Sequence, residues 1–74
     1  MILEKIKLQN NVYFIRMKKG NNYYWHYVNV AKNKEPLLKN IQAQEINIAD
    51  FGDILESGWG VSPSEEIKQK YFHN

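Results

Sequence analysis

The sequence predicts one small α+β domain, residues 1–74, built as a three-stranded antiparallel meander with two or three helices packed on it. Three observations lead there. Two runs rich in β-forming residues, 12–18 and 23–30, flank Lys19-Gly20-Asn21-Asn22, whose residue types tolerate the positive φ of a hairpin loop. The two prolines stand in helix-opening contexts, Glu35-Pro36 and Ser62-Pro63-Ser64-Glu65. Ten aromatic residues and no cysteine in 74 residues leave the burial of large apolar side chains as the means of holding the fold.

Residues 2–8 alternate weakly. Ile2, Glu4, Ile6 and Leu8 share one parity, and Leu3, Lys5 and Lys7 the other. A strand is the reading, with a helical turn as the alternative. Gln9-Asn10-Asn11 marks a turn. The strands 12–18 and 23–30 follow, joined by the hairpin loop. Ala31-Lys32-Asn33-Lys34 is polar and leaves the sheet. A helix then runs from Glu35 to about Gln44, since proline suits a first turn, where its missing N–H has no partner to lose. Leu37, Leu38 and Ile41 form its apolar stripe. Glu45-Ile46-Asn47-Ile48 alternates like a short edge strand. Asp50 is placed to cap a short helix through Phe51, Ile54 and Leu55, and Gly58 to end it. The Ser-Pro-Ser-Glu capping box opens a last helix to about Phe72, with Ile67 and Tyr71 on its inner face.

The net charge of +2 conceals an asymmetry. Residues 1–40 carry eight Lys/Arg against two Glu, and residues 41–74 carry two Lys against six Asp/Glu. Such a chain can steer a charged partner, or the halves can neutralise one another in the fold. No run approaches the roughly 18 consecutive apolar residues of a membrane span, and the first eight residues alternate charge with aliphatics, unlike a secretory signal. A cytoplasmic protein without membrane contact is the expectation.

The aromatic strand Tyr23-Tyr24-Trp25-His26-Tyr27-Val28 and the segment Ile48-Ala49-Asp50-Phe51-Gly52-Asp53-Ile54-Leu55-Glu56-Ser57-Gly58-Trp59-Gly60, followed by Pro-Ser-Glu-Glu, resemble a group of short uncharacterised bacterial proteins. That group carries a Phe/Tyr-Gly-x-Ile/Val-Leu-x-Ser-Gly-Trp-Gly segment before a proline-rich turn. The likeness covers roughly residues 23–70. It departs at Ser62-Pro63-Ser64, where the group has adjacent prolines. The resemblance implies a compact, intracellular bacterial protein and transfers no functional residue.

Four constellations are candidates for function. The first is the hairpin. Val12, Phe14, Arg16 and Lys18 share one face with large side chains, as do Tyr13, Ile15 and Met17 on the other; Tyr23, Trp25, Tyr27 and Asn29 alternate with Tyr24, His26, Val28 and Val30 in the same way. A sheet covered by helices on one side needs one apolar face. The surplus face is either a binding platform or is covered by the C-terminal segment, Trp59 and Tyr71 included. The second is the Gly58-Trp59-Gly60 corner, an interaction anchor or a core plug around which glycines let the backbone turn. The third is Asp50, Asp53 and Glu56, whose helical spacing would bring carboxylates together for a cation or acid–base work, or leave Asp50 a cap and the others solvated. The fourth is His26 and His73, which lack a thiol, a Gly-x-Ser-x-Gly elbow or a phosphate loop to act with.

The expectation is therefore a non-catalytic interaction module that binds a protein, or a second copy of itself, through the aromatic hairpin. Phe14, Arg16, Lys18, Tyr23, Trp25, Tyr27 and Trp59 form its surface, with no catalytic group, metal or cofactor. The alternative is a single-stranded nucleic-acid binder that stacks bases on Tyr23, Trp25 and Tyr27 beside Arg16, Lys18 and Lys19.

Overall fold

Four strands form one antiparallel sheet in sequence order: β1 (Ile2–Lys7), β2 (Val12–Lys19), β3 (Asn22–Val30) and β4 (Gly52–Trp59). They come from a computed structural model that describes residues 1–41 and 46–71. A short helix α1 (Glu35–Asn40) and a 3₁₀ turn (Ile48–Asp50) lie between β3 and β4, and α2 (Glu65–Tyr71) follows β4. The domain is a flat body of 31 × 29 × 15 Å.

The hairpin loops obey turn chemistry. Gln9 to Val12 is a β-turn closed by Val12 N–H donating to Gln9 O at 3.1 Å, with Asn10 and Asn11 at φ of 56° and 65°. Two positive φ values define the I′ turn whose twist suits antiparallel strands. Gly20 supplies the positive φ, 62°, of the loop between β2 and β3.

The expectation of three strands is corrected by β4. The segment read as an Asp50-capped helix is a strand paired with β3 from Val30↔Gly52 to Tyr24↔Trp59. The stub before it is the 3₁₀ turn, capped by Asn47, whose Oδ1 accepts the Ala49 N–H at 3.2 Å. Two glycines decide the matter. Each weakens a helix by about 1 kcal/mol. In the strand, each makes room for a neighbour. A Cβ on Gly52 would stand 2.0 Å from Asn29 O, and one on Gly58 would stand 2.5 Å from Cζ2 of the Trp25 ring. The i, i+3, i+4 pattern of Phe51, Ile54 and Leu55 arises instead from a bulge. Leu55 is the extra residue between the pairs Val28↔Ile54 and Tyr27↔Glu56.

Other boundaries shift too. α1 stops at Asn40, with Ile41 extended at φ −74° and ψ 133°, so the helix is shorter than expected; its continuation to Gln44 falls outside the described residues. Leu37 is exposed and leaves the expected stripe to Leu38 and Ile41. Of the expected edge strand at residues 45–48, Glu45 is outside the described residues and Ile48 opens the 3₁₀ turn. The cap of α2 is Ser64, not Ser62: its Oγ accepts the Ile67 N–H at 3.3 Å. Phe72 and His73 are likewise outside the described residues.

The sheet is covered on both faces. On one, Tyr13, Ile15, Met17, Val28 and Val30 pack with Ile2, Leu38, Ile48 and Phe51. On the other, Phe14, Trp25 and Tyr27 pack with Ile67 and Tyr71 of α2. α1 is fixed to the first face at both ends. Lys5 Nζ donates to the carbonyls of Leu38 (2.9 Å), Lys39 (3.1 Å) and Ile41 (2.6 Å), placing a cation at the C-terminal end of α1, where the helix dipole favours one. At the other end, Tyr13 donates its hydroxyl to Glu35 Oε2 at 2.5 Å, and Lys7 Nζ lies 2.7 Å from the same oxygen. The bonds from Lys7 and Tyr13 hold the Glu35 carboxyl below its ordinary pKa. Burial, with the carboxylate beside it, pushes the Tyr13 phenol up to about 12.

Gly52→Ala meets backbone that cannot give way, and chemical denaturation should show a loss of about 2–3 kcal/mol, in the range of overpacked sites. Gly20→Ala, strained only by its φ, should lose about 1 kcal/mol. Since the folded-state pKa of Tyr13 lies above the ordinary phenol value near 10, its contribution is complete below pH 10 and is lost as pH rises through 12. Urea titrations across that window should show wild-type stability declining more steeply than that of Tyr13→Phe.

Candidate functional site

The seven residues expected on the binding surface divide into three groups. Phe14, Trp25 and Tyr27 are 7, 5 and 3 % exposed. They form one aromatic cluster, with Phe14–Tyr27 centroids 5.2 Å apart and Trp25–Tyr27 edge-to-face at 5.8 Å. Tyr71 of α2 lies flat on Tyr27 at 4.4 Å and 18°. These rings are the interior of the monomer beneath α2, and the accessible aromatic platform shrinks accordingly.

α2 is held over them by Glu56 of β4. Its Oε1 accepts from Lys70 Nζ at 2.7 Å and from the Tyr71 hydroxyl at 2.9 Å. The bond from Lys70 and then that from Tyr71 hold Glu56 below its ordinary pKa, while Tyr27, mainly through burial, and Tyr71, likewise, are raised. Glu56 thus faces a helix, rather than joining Asp50 and Asp53; Asp50 sits in the 3₁₀ turn and Asp53 on exposed β4. Among the described residues, no group of three His, Asp or Glu side chains is placed to hold a metal ion.

Arg16 stitches the C-terminal segment to the sheet. Its Nε donates to Val61 O at 2.6 Å, Nη1 pairs with Glu4, and Nη2 reaches Ser62 Oγ at 3.4 Å. The guanidinium also lies 5.2 Å from the Phe14 ring. Its place is set by these contacts.

The third group surrounds the tip of the β2–β3 hairpin. Lys18 Nζ stands 5.3 Å from the Tyr23 ring, and Tyr23 borders a shallow depression with Asn21, Asn22, Trp59 and Gly60. Trp59 is 75 % exposed. It leans on Tyr24 at 5.5 Å, on the sheet face opposite Trp25, because Trp59 pairs with Tyr24 and Gly58 with Trp25. The reading of Trp59 as a core plug is therefore overturned; Gly58 beside it is the residue that accommodates a core indole. Leaving that much indole in water forgoes on the order of 3 kcal/mol of burial.

Sequence reasoning missed Tyr24, the ring on which Trp59 leans. Ile54 and Leu55 are 42 and 41 % exposed on the same edge strand as Trp59. The signal lay in the register of β4. His26 lies edge-on to Tyr24 at 5.6 Å, opposite Ser57, and burial lowers its pKa, so its imidazole is neutral at pH 7. Its Nδ1 and Trp25 Nε1 are buried without a hydrogen-bond partner among the described residues.

No helix of the described residues is long and apolar enough to cross a membrane. No family model, curated protein or solved structure matches the chain.

The lid role of α2 can be checked with Trp25 as reporter. In a Trp59→Phe background the remaining indole is buried, and its emission should be blue-shifted and poorly quenched by acrylamide. Adding Tyr71→Ala should red-shift the emission and raise quenching at least about twofold, since the half-buried Tyr71 ring stacks on Tyr27 and its loss opens the cluster to water.

Proposed function

We propose that the protein is a non-catalytic interaction module whose anchor is Trp59, presented to a protein partner at the hairpin tip. The observation that carries this is the 75 % exposure of Trp59 in a chain that buries its other tryptophan. Tryptophan and tyrosine dominate binding hot spots, because a rigid ring buries much area while losing few rotamers. Tyr23 and Tyr24 supply aromatic surroundings, and Asn21 and Asn22 a polar rim. Contact is made by side chains. Both sheet edges carry a bulge, at Leu3 of β1 and at Leu55 of β4, and bulges discourage strand addition.

A nucleic-acid role has less support. Trp25 and Tyr27, two of the three rings expected to stack bases, lie buried in the cluster beneath α2.

The test is nuclease-treated affinity capture with wild type and Trp59→Ala, paired with sedimentation of the free protein. A protein captured by wild type, and bound at least about 30-fold more weakly by Trp59→Ala in a purified titration, is the expected result, and a concentration-dependent dimer lost in Trp59→Ala makes that partner a second copy. Equal binding by both proteins, or capture that disappears with nuclease, overturns the proposal.

A further inference from the structure

α2 does not reach across its face of the sheet to β1. Between them a groove of about 220 Å³ opens, lined by Ile6 of β1, Leu8, Phe14, Tyr27 and Pro63, with Arg16 and Lys68. None of these residues belongs to the depression at Trp59. Five of the seven are apolar or aromatic, and the ionised groups are both cations.

We propose that this groove binds a small monocarboxylate with one apolar body, an aryl or short alkyl acid. The body would rest on Ile6, Leu8, Phe14 and Pro63, with the carboxylate between Arg16 and Lys68. Size sets the first limit. The space equals about seven water volumes and falls below the roughly 300–1,000 Å³ of sites for drug-sized ligands, so it suits one ring or a short chain. Ile6 is 41 % exposed beside it and gains burial when it is filled.

Charge sets the second. A guanidinium has five N–H donors, and the bonds of Arg16 to Val61, Glu4 and Ser62 use three. Two remain without a partner among the described residues, on a group already fixed in place. Lys68 is paired with Glu65 at 3.3 Å, but that pair is solvent-exposed, with Glu65 at 82 %, and so contributes little and releases the ammonium readily. Glu4, on the other arm of Arg16, subtracts from the local positive charge. The affinity is accordingly modest, roughly millimolar for a ligand of about ten heavy atoms.

The probe pair is 3-phenylpropionate and its neutral amide, titrated into the ¹⁵N-labelled protein. Expected are saturable shifts centred on the amides of Ile6, Leu8, Phe14 and Lys68, with the acid bound at least about fivefold tighter than the amide and the preference shrinking as salt is raised. Lys68→Gln, a surface change that leaves the fold intact, should weaken the acid about three- to fivefold and spare the amide. Shifts that never saturate or that scatter over the surface overturn the site. Equal affinity for acid and amide, or an unchanged acid affinity in Lys68→Gln, overturns the carboxylate placement.

Discussion

Two adjacent strands with large apolar side chains on both faces cannot be left half in water, and this constraint organises the molecule. β2 sends Tyr13, Ile15 and Met17 one way and Phe14 the other; β3 sends Val28 and Val30 one way and Trp25 and Tyr27 the other. Each face needs a cover, and 74 residues provide only short ones. α1 has six residues and α2 seven, lengths at which a helix in isolation is not stable. Their stability therefore comes from the sheet.

That dependence explains where the polar side chains go. Each short helix is fastened by a carboxylate that collects a lysine and a tyrosine: Glu35 takes Lys7 and Tyr13, and Glu56 takes Lys70 and Tyr71. In the first pin the carboxylate rides on the helix and the cation on the sheet; in the second the roles are exchanged. Lys5 adds a cation to the carbonyl end of α1. The charge asymmetry between the halves of the sequence is spent only in part on such contacts. Lys7 meets Glu35, and Arg16 meets Glu4, within the basic half, while Lys70 meets Glu56 within the acidic half. Among the described residues the ion pairs form inside each half, rather than between the halves face to face.

The sequence made the hairpin legible because its information is local: alternation over eight residues and a glycine where positive φ is needed. The parity of Phe14, Trp25 and Tyr27 was readable for the same reason, and so was the inward face of the last helix through Ile67 and Tyr71. β4 was not legible. Its residues satisfy a helical spacing through Phe51, Ile54 and Leu55, and what makes it a strand is non-local: the backbone of Asn29 pressing on Gly52 and the ring of Trp25 on Gly58. Even a correct strand assignment would have misplaced half of its side chains. Without the bulge at Leu55, Ile54 would share a face with Glu56 and Gly58; with it, Ile54 joins Ser57 and Trp59. The candidate surface divides for the same non-local reason: the register of β4 sets Trp59 on the face opposite Trp25.

The two tryptophans occupy neighbouring positions across one strand pair and have opposite fates. Trp25 faces Gly58, which has no side chain, so its ring fills that space and closes the cluster under α2. Trp59 faces Tyr24, a half-buried ring that offers an edge but no recess, so most of the indole stays in water. Exchanging the order of glycine and tryptophan would move the large side chain to the face under α2. A strand that alternates glycine with tryptophan thus sets which face receives a seat and which receives a protrusion. Folding alone is served by the seat: Gly58 is required for Trp25 to pack, whereas nothing in the described core rests on Trp59 except one contact with Tyr24. A large apolar side chain that the core does not use is best understood through what it can bury outside the monomer.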